Sequence, residues 1–234
     1  MNKLLVVTGG TKGIGRAILE RFASAGFDVA TCARKQPDLI QLKEDVEKKY
    51  PVKVSIQTAD MSDKNQVKVF TDFIYKVGRP VDVLINNAGH FVPGQVMEEP
   101  NGTLESMIEA NVYSAYYATR GLIGPMKSNK SGHIFNMCSI ASIMAYPNGG
   151  SYAISKFALL GFSKVLREEL KEFGIRVTAV LPGATKTASW AGSTLPDSRF
   201  MKPEDVAEAV FSAYSLSPHS VVEELLIRPQ LGDI

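Results

Sequence analysis

Apolar residues follow two alternating patterns along the chain. Short, nearly continuous apolar runs, such as LLVV at 4–7 and VDVLI at 81–85, alternate with longer segments in which apolar positions recur every three or four residues. The short runs are typical of strands buried on both faces, and the longer segments of amphipathic helices. The predicted strands cover residues 3–8, 28–33, 52–58, 81–86, 132–138, 176–181 and 221–227. The predicted helices cover residues 13–25, 37–49, 63–77, 103–126, 152–173 and 203–214.

This alternation predicts the fold class. Strand–helix–strand units form parallel sheets because each helix carries the chain back across one face of the sheet. We therefore expect an α/β fold, a Rossmann-like doubly wound parallel sheet of about seven strands with helices on both faces. Neither a composition shift nor a repeat marks a boundary, so residues 1–234 are expected to form one domain. Residues 182–201 are irregular, and a loop of this length often carries function.

Composition and charge exclude several classes of partner. The 234 residues include 26 Lys and Arg and 24 Asp and Glu, a net charge of +2, which provides no basic surface for nucleic acid. No apolar run approaches the roughly 20 residues of a membrane span, and the run after Lys3 is broken by glycine too early for a secretory signal. Cys32 and Cys138 lack metal-ligand spacing. We expect a cytoplasmic protein without a metal site that binds neither nucleic acid nor membranes.

A glycine-rich string, TGGTKGIG at 8–15, joins the first predicted strand to the first helix. At this junction of a doubly wound sheet, backbone N–H groups and a helix N-terminus bind a pyrophosphate. The spacing of Gly9, Gly13 and Gly15 is GxxxGxG rather than GxGxxG, and a glycine cluster alone also fits a simple helix-entry turn. Its position directly after the first strand favours a dinucleotide site.

The end of the second strand indicates which dinucleotide is bound. Ala33 stands where an NAD enzyme places a carboxylate on the ribose 2′-hydroxyl, and Arg34 and Lys35 follow it. Together with Lys12 in the glycine loop, these cations favour a 2′-phosphate. The predicted cofactor is therefore NADP(H). The alternative is that Arg34 and Lys35 are ordinary solvated loop charges.

Two further strand ends carry candidate cofactor residues. Asp60 ends the third strand, where its carboxylate can accept from an adenine amino group or, like Ser62, cap the next helix. NNAG at 86–89 ends the fourth strand, where small residues let the backbone pass an adenosine and an asparagine side chain can join neighbouring strands. A simple strand-ending turn explains NNAG equally well.

A third group of residues suggests proton transfer. In YAISK, Tyr152 and Lys156 share one face of a helix, and Ser139 lies thirteen residues earlier at the end of a strand. A nearby ammonium favours the ionised phenol. Lowering its pKa from about 10 to about 7 requires roughly 4 kcal/mol, which a desolvated ammonium and a bound cationic nicotinamide ring would supply together. Ser139 is placed to donate to an oxyanion. A tyrosine and a lysine on a solvated helix face are the alternative interpretation.

These motifs, together with EANVYSAYY around Asn111 and PGATKT at 182–187, resemble the short-chain dehydrogenase/reductase family in order and separation over nearly the whole chain. The resemblance implies that Ser139 and Tyr152 bind and protonate a substrate carbonyl, and that Lys156 holds the nicotinamide ribose. It also implies that Asn111 anchors a water molecule in a proton relay. The alternative for Asn111 is local hydrogen bonding that bends its helix.

The resemblance also implies the cofactor contacts, the reaction and the assembly. Hydride from NADPH would reduce the carbonyl of a small molecule while Tyr152 provides the proton. Members of the family commonly pair through long helices, so a homodimer or homotetramer is expected. The implied cofactor-binding residues are Gly9, Thr11, Lys12, Gly13, Ile14, Gly15, Arg34, Lys35, Asp60, Met61, Asn87, Ala88, Gly89, Tyr152, Lys156, Pro182, Gly183, Thr185 and Thr187.

The substrate is the least determined feature. The fifth strand and the C-terminal segment resemble those of bacterial sepiapterin reductases, which reduce a ketone on a pterin side chain. Trp190, with Tyr146 or Phe91, is a candidate to stack on a flat heterocycle beside Ser139, although a lone loop tryptophan is equally typical of packing. A 3-oxoacyl thioester reductase, a broad carbonyl reductase and a non-catalytic NADP(H)-sensing protein are the alternatives.

Overall fold

The computed structural model describes residues 2–234, and its strands and helices alternate as predicted. The strands are β1 Leu4–Thr8, β2 Asp28–Ala33, β3 Val54–Thr58, β4 Val83–Asn86, β5 Gly132–Met137, β6 Ile175–Pro182 and β7 Glu224–Ile227. The helices are α1 Gly13–Ser24, α2 Gln36–Lys49, α3 Lys64–Lys76, α4 Thr103–Ile108, α5 Ser114–Asn129, α6 Gly150–Leu170 and α7 Pro203–Ser215.

In the described part of the chain, these seven strands form one parallel sheet in the order β3-β2-β1-β4-β5-β6-β7. The predicted fold class is confirmed. The direction of winding reverses between β1 and β4, and in such sheets ligands bind beyond the carboxyl ends of the strands at this reversal.

The core lies on both faces of the sheet, which explains the continuous apolar strands. Alternate residues of β1 point to opposite faces. Leu5 and Val7 join a cluster with α1, α2 and α7, whereas Leu4 and Val6 join a cluster with α3, α5 and α6. Every residue of β1 is therefore buried, including its end, where the glycine loop begins.

Several predicted boundaries differ from the structure. The helix predicted over 103–126 is two helices, α4 and α5, joined by a π-helical turn over Glu109–Tyr113. The third helix is capped by neither Asp60 nor Ser62. Asp63 caps it instead, accepting hydrogen bonds from the backbone N–H groups of Asn65 and Gln66. Asp63 directly precedes the helix, whereas the Asp60 carboxylate accepts from Ser62 within a turn.

Candidate active site

The glycine loop between β1 and α1 fits an anionic group. Gly9 and Gly13 have positive φ angles of 71° and 55°, which favour glycine. A Cβ atom on Gly15 would overlap the side-chain amide of Asn87. Within residues 2–234, no side chain caps α1 and its first turn contains no acidic residue. The first N–H groups of this helix therefore suit a pyrophosphate.

The loop after β4 is fixed to the end of β1, so an asparagine of NNAG joins neighbouring strands, one of the two interpretations of that motif. The Asn87 side-chain amide donates to the carbonyl oxygens of Thr8 and Gly9 at 2.9 and 3.0 Å. The Thr8 hydroxyl in turn accepts from the backbone N–H groups of Asn87 and Ala88 at 3.0 Å each. These bonds hold the two strand ends together at the winding reversal, beside the glycine loop.

The cations expected near a 2′-phosphate differ in their surroundings. Arg34 and Lys35 are exposed, and among the described residues neither forms an ion pair. Lys12, in contrast, pairs with Asp38 in the first turn of α2 at 3.0 Å. The sequence reasoning considered only position 33 and missed this acid, because the contact joins the glycine loop to a separate helix.

A cavity of about 490 Å³ lies beyond the carboxyl ends of the strands. It is lined by predicted site residues from α1, α6, the end of β6 and the segments after β4, β5 and β6: Ile14, Asn87, Gly89, Ser139, Tyr146, Tyr152, Lys156, Pro182, Gly183, Thr185, Thr187 and Trp190. The other predicted cofactor residues lie outside this lining: Gly9, Thr11, Lys12, Gly13, Gly15, Arg34, Lys35, Asp60, Met61 and Ala88. Gly13 nevertheless approaches the cavity, because a Cβ atom there would lie 3.2 Å from Cγ2 of Thr187.

Sequence reasoning missed some residues that line the cavity. His90 directly follows NNAG, and that adjacency was a signal for including it. Asp233 and Ile234, at the end of the chain, also line the cavity, although no local motif marks them. Asp233 reaches the loop after β6, where Arg199 donates to its backbone carbonyl at 3.3 Å.

Tyr152 has a different ionisation behaviour from the one expected. Its ring packs edge-on against Phe91, with ring centroids 4.8 Å apart. Burial raises the pKa of Tyr152 above its usual value near 10, and the Ser139 hydroxyl only partly opposes this effect. The expected lowering depends on Lys156 together with a bound nicotinamide ring, so for the holoenzyme it stays a prediction. The Lys156 ammonium donates to the carbonyl oxygen of Met137 at 2.8 Å and lies 5.6 Å from the centroid of the Tyr152 ring.

Lys156 is buried, with 7% of its surface exposed. Burial disfavours the ammonium and lowers the pKa of Lys156 to about 8. At neutral pH the site therefore contains a protonated phenol and a charged lysine. A protonated phenol is the form that can donate to a carbonyl oxygen.

Asn111 lies in the π-helical turn and connects three parts of the site. Its side-chain oxygen accepts from the backbone N–H of His90 at 2.9 Å, and its amide donates to the His90 carbonyl at 3.1 Å. The same amide donates to the hydroxyl of Ser155 on α6 at 2.9 Å. These polar partners lie on other segments, so local hydrogen bonding does not explain this asparagine. The water-anchoring role stays a prediction.

The candidate substrate residues form aromatic walls of the cavity. Trp190 packs edge-to-face on Phe200, with centroids 5.2 Å apart, so it also has a packing role. Burial raises the pKa of Tyr146 to about 12, which keeps its hydroxyl protonated. Ser139 stands at the end of β5, and its hydroxyl accepts from the backbone N–H of Ala141 at 3.1 Å.

Residues 2–234 hold neither a candidate metal cluster nor a membrane-spanning helix. They contain no group of three or more His, Cys, Asp or Glu side chains arranged to hold a metal ion. In the same part of the chain, no helix combines the length and the apolar character required to cross a bilayer.

Comparison with known proteins identifies the family. A sequence model described as short chain dehydrogenase matches residues 3–196. A sepiapterin reductase of Chlorobaculum tepidum is 32% identical over 242 residues, covering 100% of this chain and 99% of the relative. A 3alpha-hydroxysteroid dehydrogenase of Mediterraneibacter gnavus is 32% identical over 236 residues, covering 96% of this chain and 94% of the relative.

Similar solved structures bear on the cofactor. The alcohol dehydrogenase of the archaeon Thermococcus sibiricus, complexed with 5-hydroxy-NADP, has a TM-score of 0.92 at 26% identity, covering 98% of this chain and 97% of that one. Other similar structures contain NADP or NADPH. The predicted resemblance and the predicted cofactor are confirmed. The chain therefore belongs to the short-chain dehydrogenase/reductase family and is an NADP(H)-dependent oxidoreductase.

Proposed function

We propose that this enzyme reduces the ketone of a small molecule to an alcohol, with Tyr152 as the proton donor. The observation that carries the proposal is the cavity wall formed by Tyr152, Ser139 and Lys156. The raised pKa of Tyr152 keeps its phenol protonated at neutral pH. When bound, NADPH would supply the hydride to the carbonyl carbon. Tyr152 would donate its proton to the forming alkoxide oxygen in the same step.

Ser139 and Lys156 have complementary roles in this proposal. The Ser139 hydroxyl lies beside Tyr152 and offers a second hydrogen-bond donor to the carbonyl oxygen. Lys156 uses one donor on the Met137 carbonyl, and an ammonium has three donors. The remaining donors serve a ribose hydroxyl and the Tyr152 oxygen after proton transfer. Asn111 supports the site by joining the His90 backbone to α6.

The cofactor contacts follow from the fit of the glycine loop. The N-terminus of α1 and the backbone of the glycine loop would hold the pyrophosphate. Arg34, Lys35 and Lys12 would surround the 2′-phosphate, and Asp60 and Met61 the adenine. The segment after β6, containing Thr185 and Thr187, would meet the nicotinamide end beside the cavity.

The substrate class that we favour is a ketone attached to a flat heterocycle, such as the side-chain ketone of a pterin. The full-length similarity to a sepiapterin reductase supports it. The aromatic side chains of Phe91, Tyr146 and Trp190 in the cavity lining provide stacking surfaces for such a ring.

We also propose that the enzyme is a cytoplasmic homodimer or homotetramer. The apolar side chains of Ile154 and Phe157 on α6, and of Tyr113 just before α5, are exposed and suit pairing with a second copy. Light scattering would test the assembly, because a mass near 25.5 kDa would contradict it.

NADPH oxidation assayed in parallel with sepiapterin, a 3-oxoacyl thioester and simple diketones tests the proposed reaction. The highest kcat/KM with sepiapterin supports the heterocyclic ketone. The highest value with the thioester would favour the acyl-thioester reductase, and similar values for all would favour a broad carbonyl reductase. Tight NADPH binding without turnover of any of them would contradict an enzymatic role and favour a sensor.

A further inference from the structure

The segment between β4 and α4 crosses the N-terminus of α6 and contacts it through one carboxylate. The backbone N–H of Ser151 donates to Oε1 of Glu99 at 2.9 Å, and the Ser151 hydroxyl donates to Oε2 of Glu99. Ser151 is buried, with 2% of its surface exposed, and directly precedes Tyr152. Glu99 is therefore joined to the residue next to the proposed proton donor.

Two glycines make room for this carboxylate. A Cβ atom on Gly94 would lie 2.6 Å from Cγ of Glu99, and a Cβ atom on Gly150 would overlap Oε1 of Glu99. Gly150 also has a φ of 36°, a backbone conformation that favours glycine. The backbone N–H of Gly94 donates to the carbonyl of Asn148 at 3.1 Å, so the two segments are held together on both sides of Glu99.

The contact acts on the part of α6 that carries the chemistry. The first turn of a helix has N–H groups without intrahelical acceptors, and its positive end favours a carboxylate. Tyr152 belongs to this first turn, whereas Lys156 lies one turn further along and is held by the Met137 carbonyl. Loss of the Glu99 contact should therefore displace Tyr152 more than Lys156.

The same segment contacts the Tyr152 ring directly. Phe91 packs edge-on against this ring, eight residues before Glu99 in the chain. The segment thus holds Tyr152 from two directions, through its ring and through the start of its helix.

We propose that Glu99 is a positioning residue that sets the place of the Tyr152 hydroxyl through Ser151. The proposal rests on the proposed role of Tyr152 as proton donor. A displacement of about 1 Å in a reacting group can lower a rate about 100-fold. Replacement of Glu99 by alanine should accordingly lower kcat by about 10- to 100-fold. The Kd for NADPH should stay within about twofold, because the described contacts of the Glu99 carboxylate are with Ser151, Gly94 and Gly150 and not with the glycine loop.

The test compares Glu99→Ala and Glu99→Gln with Glu98→Gln, whose parent side chain is exposed on the same segment. The measurements are kcat, the Kd for NADPH, the primary deuterium isotope effect with NADPH labelled at the transferred position, and amide exchange at Ser151. For Glu99→Ala we expect a lower kcat, a larger isotope effect on kcat and faster exchange at Ser151. Glu99→Gln should recover part of the activity, since its carbonyl still accepts from Ser151, and Glu98→Gln should match the wild type.

Two results would overturn the proposal. One is a kcat for Glu99→Ala within twofold of the wild type. The other is a loss of activity in Glu99→Ala that is proportional to its loss of folded protein, together with the wild-type isotope effect on kcat. This result would indicate that Glu99 has only a structural role. Failure of the proposed function gives a different result from both. The wild type would then reduce no carbonyl substrate, while Glu99→Ala would still exchange faster at Ser151 than the wild type.

Discussion

Replacement of Lys156 by methionine is expected to stabilise the folded enzyme while it abolishes turnover. The Lys156 side chain is buried, and burial lowers its pKa from 10.5 to about 8. At about 1.4 kcal/mol for each pKa unit, the charged lysine costs about 3 kcal/mol of folding free energy at neutral pH. Methionine fills a similar volume without a charge.

Part of the stabilisation that Lys156→Met gains by removing the buried charge is offset by a lost hydrogen bond. The Met137 carbonyl would lose the donor that it has in the wild type, at a cost of about 1 kcal/mol. The net increase in the free energy of unfolding at pH 7 is then about 2 kcal/mol, or about 4–8 °C in Tm for a chain of this size. A group whose pKa is lower in the folded state binds its proton less tightly there than in the unfolded chain. The destabilisation by the charged, buried Lys156 is therefore at its full value below pH 8, and it disappears as the pH rises toward 10.5.

Urea unfolding of the wild type and Lys156→Met between pH 7 and 10.5 checks this expectation. Lys164→Met is the matched control, because Lys164 is 62% exposed on the same helix and pairs with Glu224. We expect this control to lie within about 0.5 kcal/mol of the wild type at pH 7. A Lys156→Met variant that is less stable than the wild type at pH 7, or a stability difference that does not shrink at higher pH, would refute the reasoning.

Two other side chains are expected to influence cofactor binding and acid stability. Asp38→Asn releases Lys12 from its ion pair, so the Kd for NADP⁺ should fall about two- to fivefold while that for NAD⁺ stays unchanged in titration calorimetry. Weaker NADP⁺ binding by this variant would contradict the placement of Lys12. Burial lowers the pKa of His133 from 6.5 to about 2, so the unfolded chain alone binds this proton as the pH falls below 6.5. As the pH falls from 6.5 to 4, the free energy of unfolding should decrease more steeply in the wild type than in His133→Gln, by about 1.4 kcal/mol per pH unit. Equal slopes of unfolding free energy against pH in the two proteins would contradict a neutral, buried His133.

The strand–helix alternation and the motifs at strand ends were readable from the sequence because each depends on neighbouring residues. Apolar runs such as 81–85 are buried on both faces, and parallel pairing brings their carboxyl ends to one edge. TGGTKGIG and NNAG therefore meet at the winding reversal, where Asn87 bonds to Thr8 and Gly9.

The features that sequence reasoning missed depend on contacts between distant segments. Spacing places Tyr152 and Lys156 on one helix face, but it shows neither how deeply each is buried nor that the ammonium reaches Met137. The Lys12–Asp38 pair joins the glycine loop to α2, and the end of the chain reaches the cavity through Asp233.

In the proposed reaction, Tyr152 provides the proton for carbonyl reduction. Steady-state NADPH oxidation by Tyr152→Phe, with the NADPH Kd measured by fluorescence titration, tests it most directly. Phenylalanine keeps the ring that packs on Phe91 and removes only the hydroxyl. We expect kcat to fall about 100- to 10,000-fold, with the NADPH Kd within about threefold of the wild type. A kcat within threefold of the wild type would contradict it.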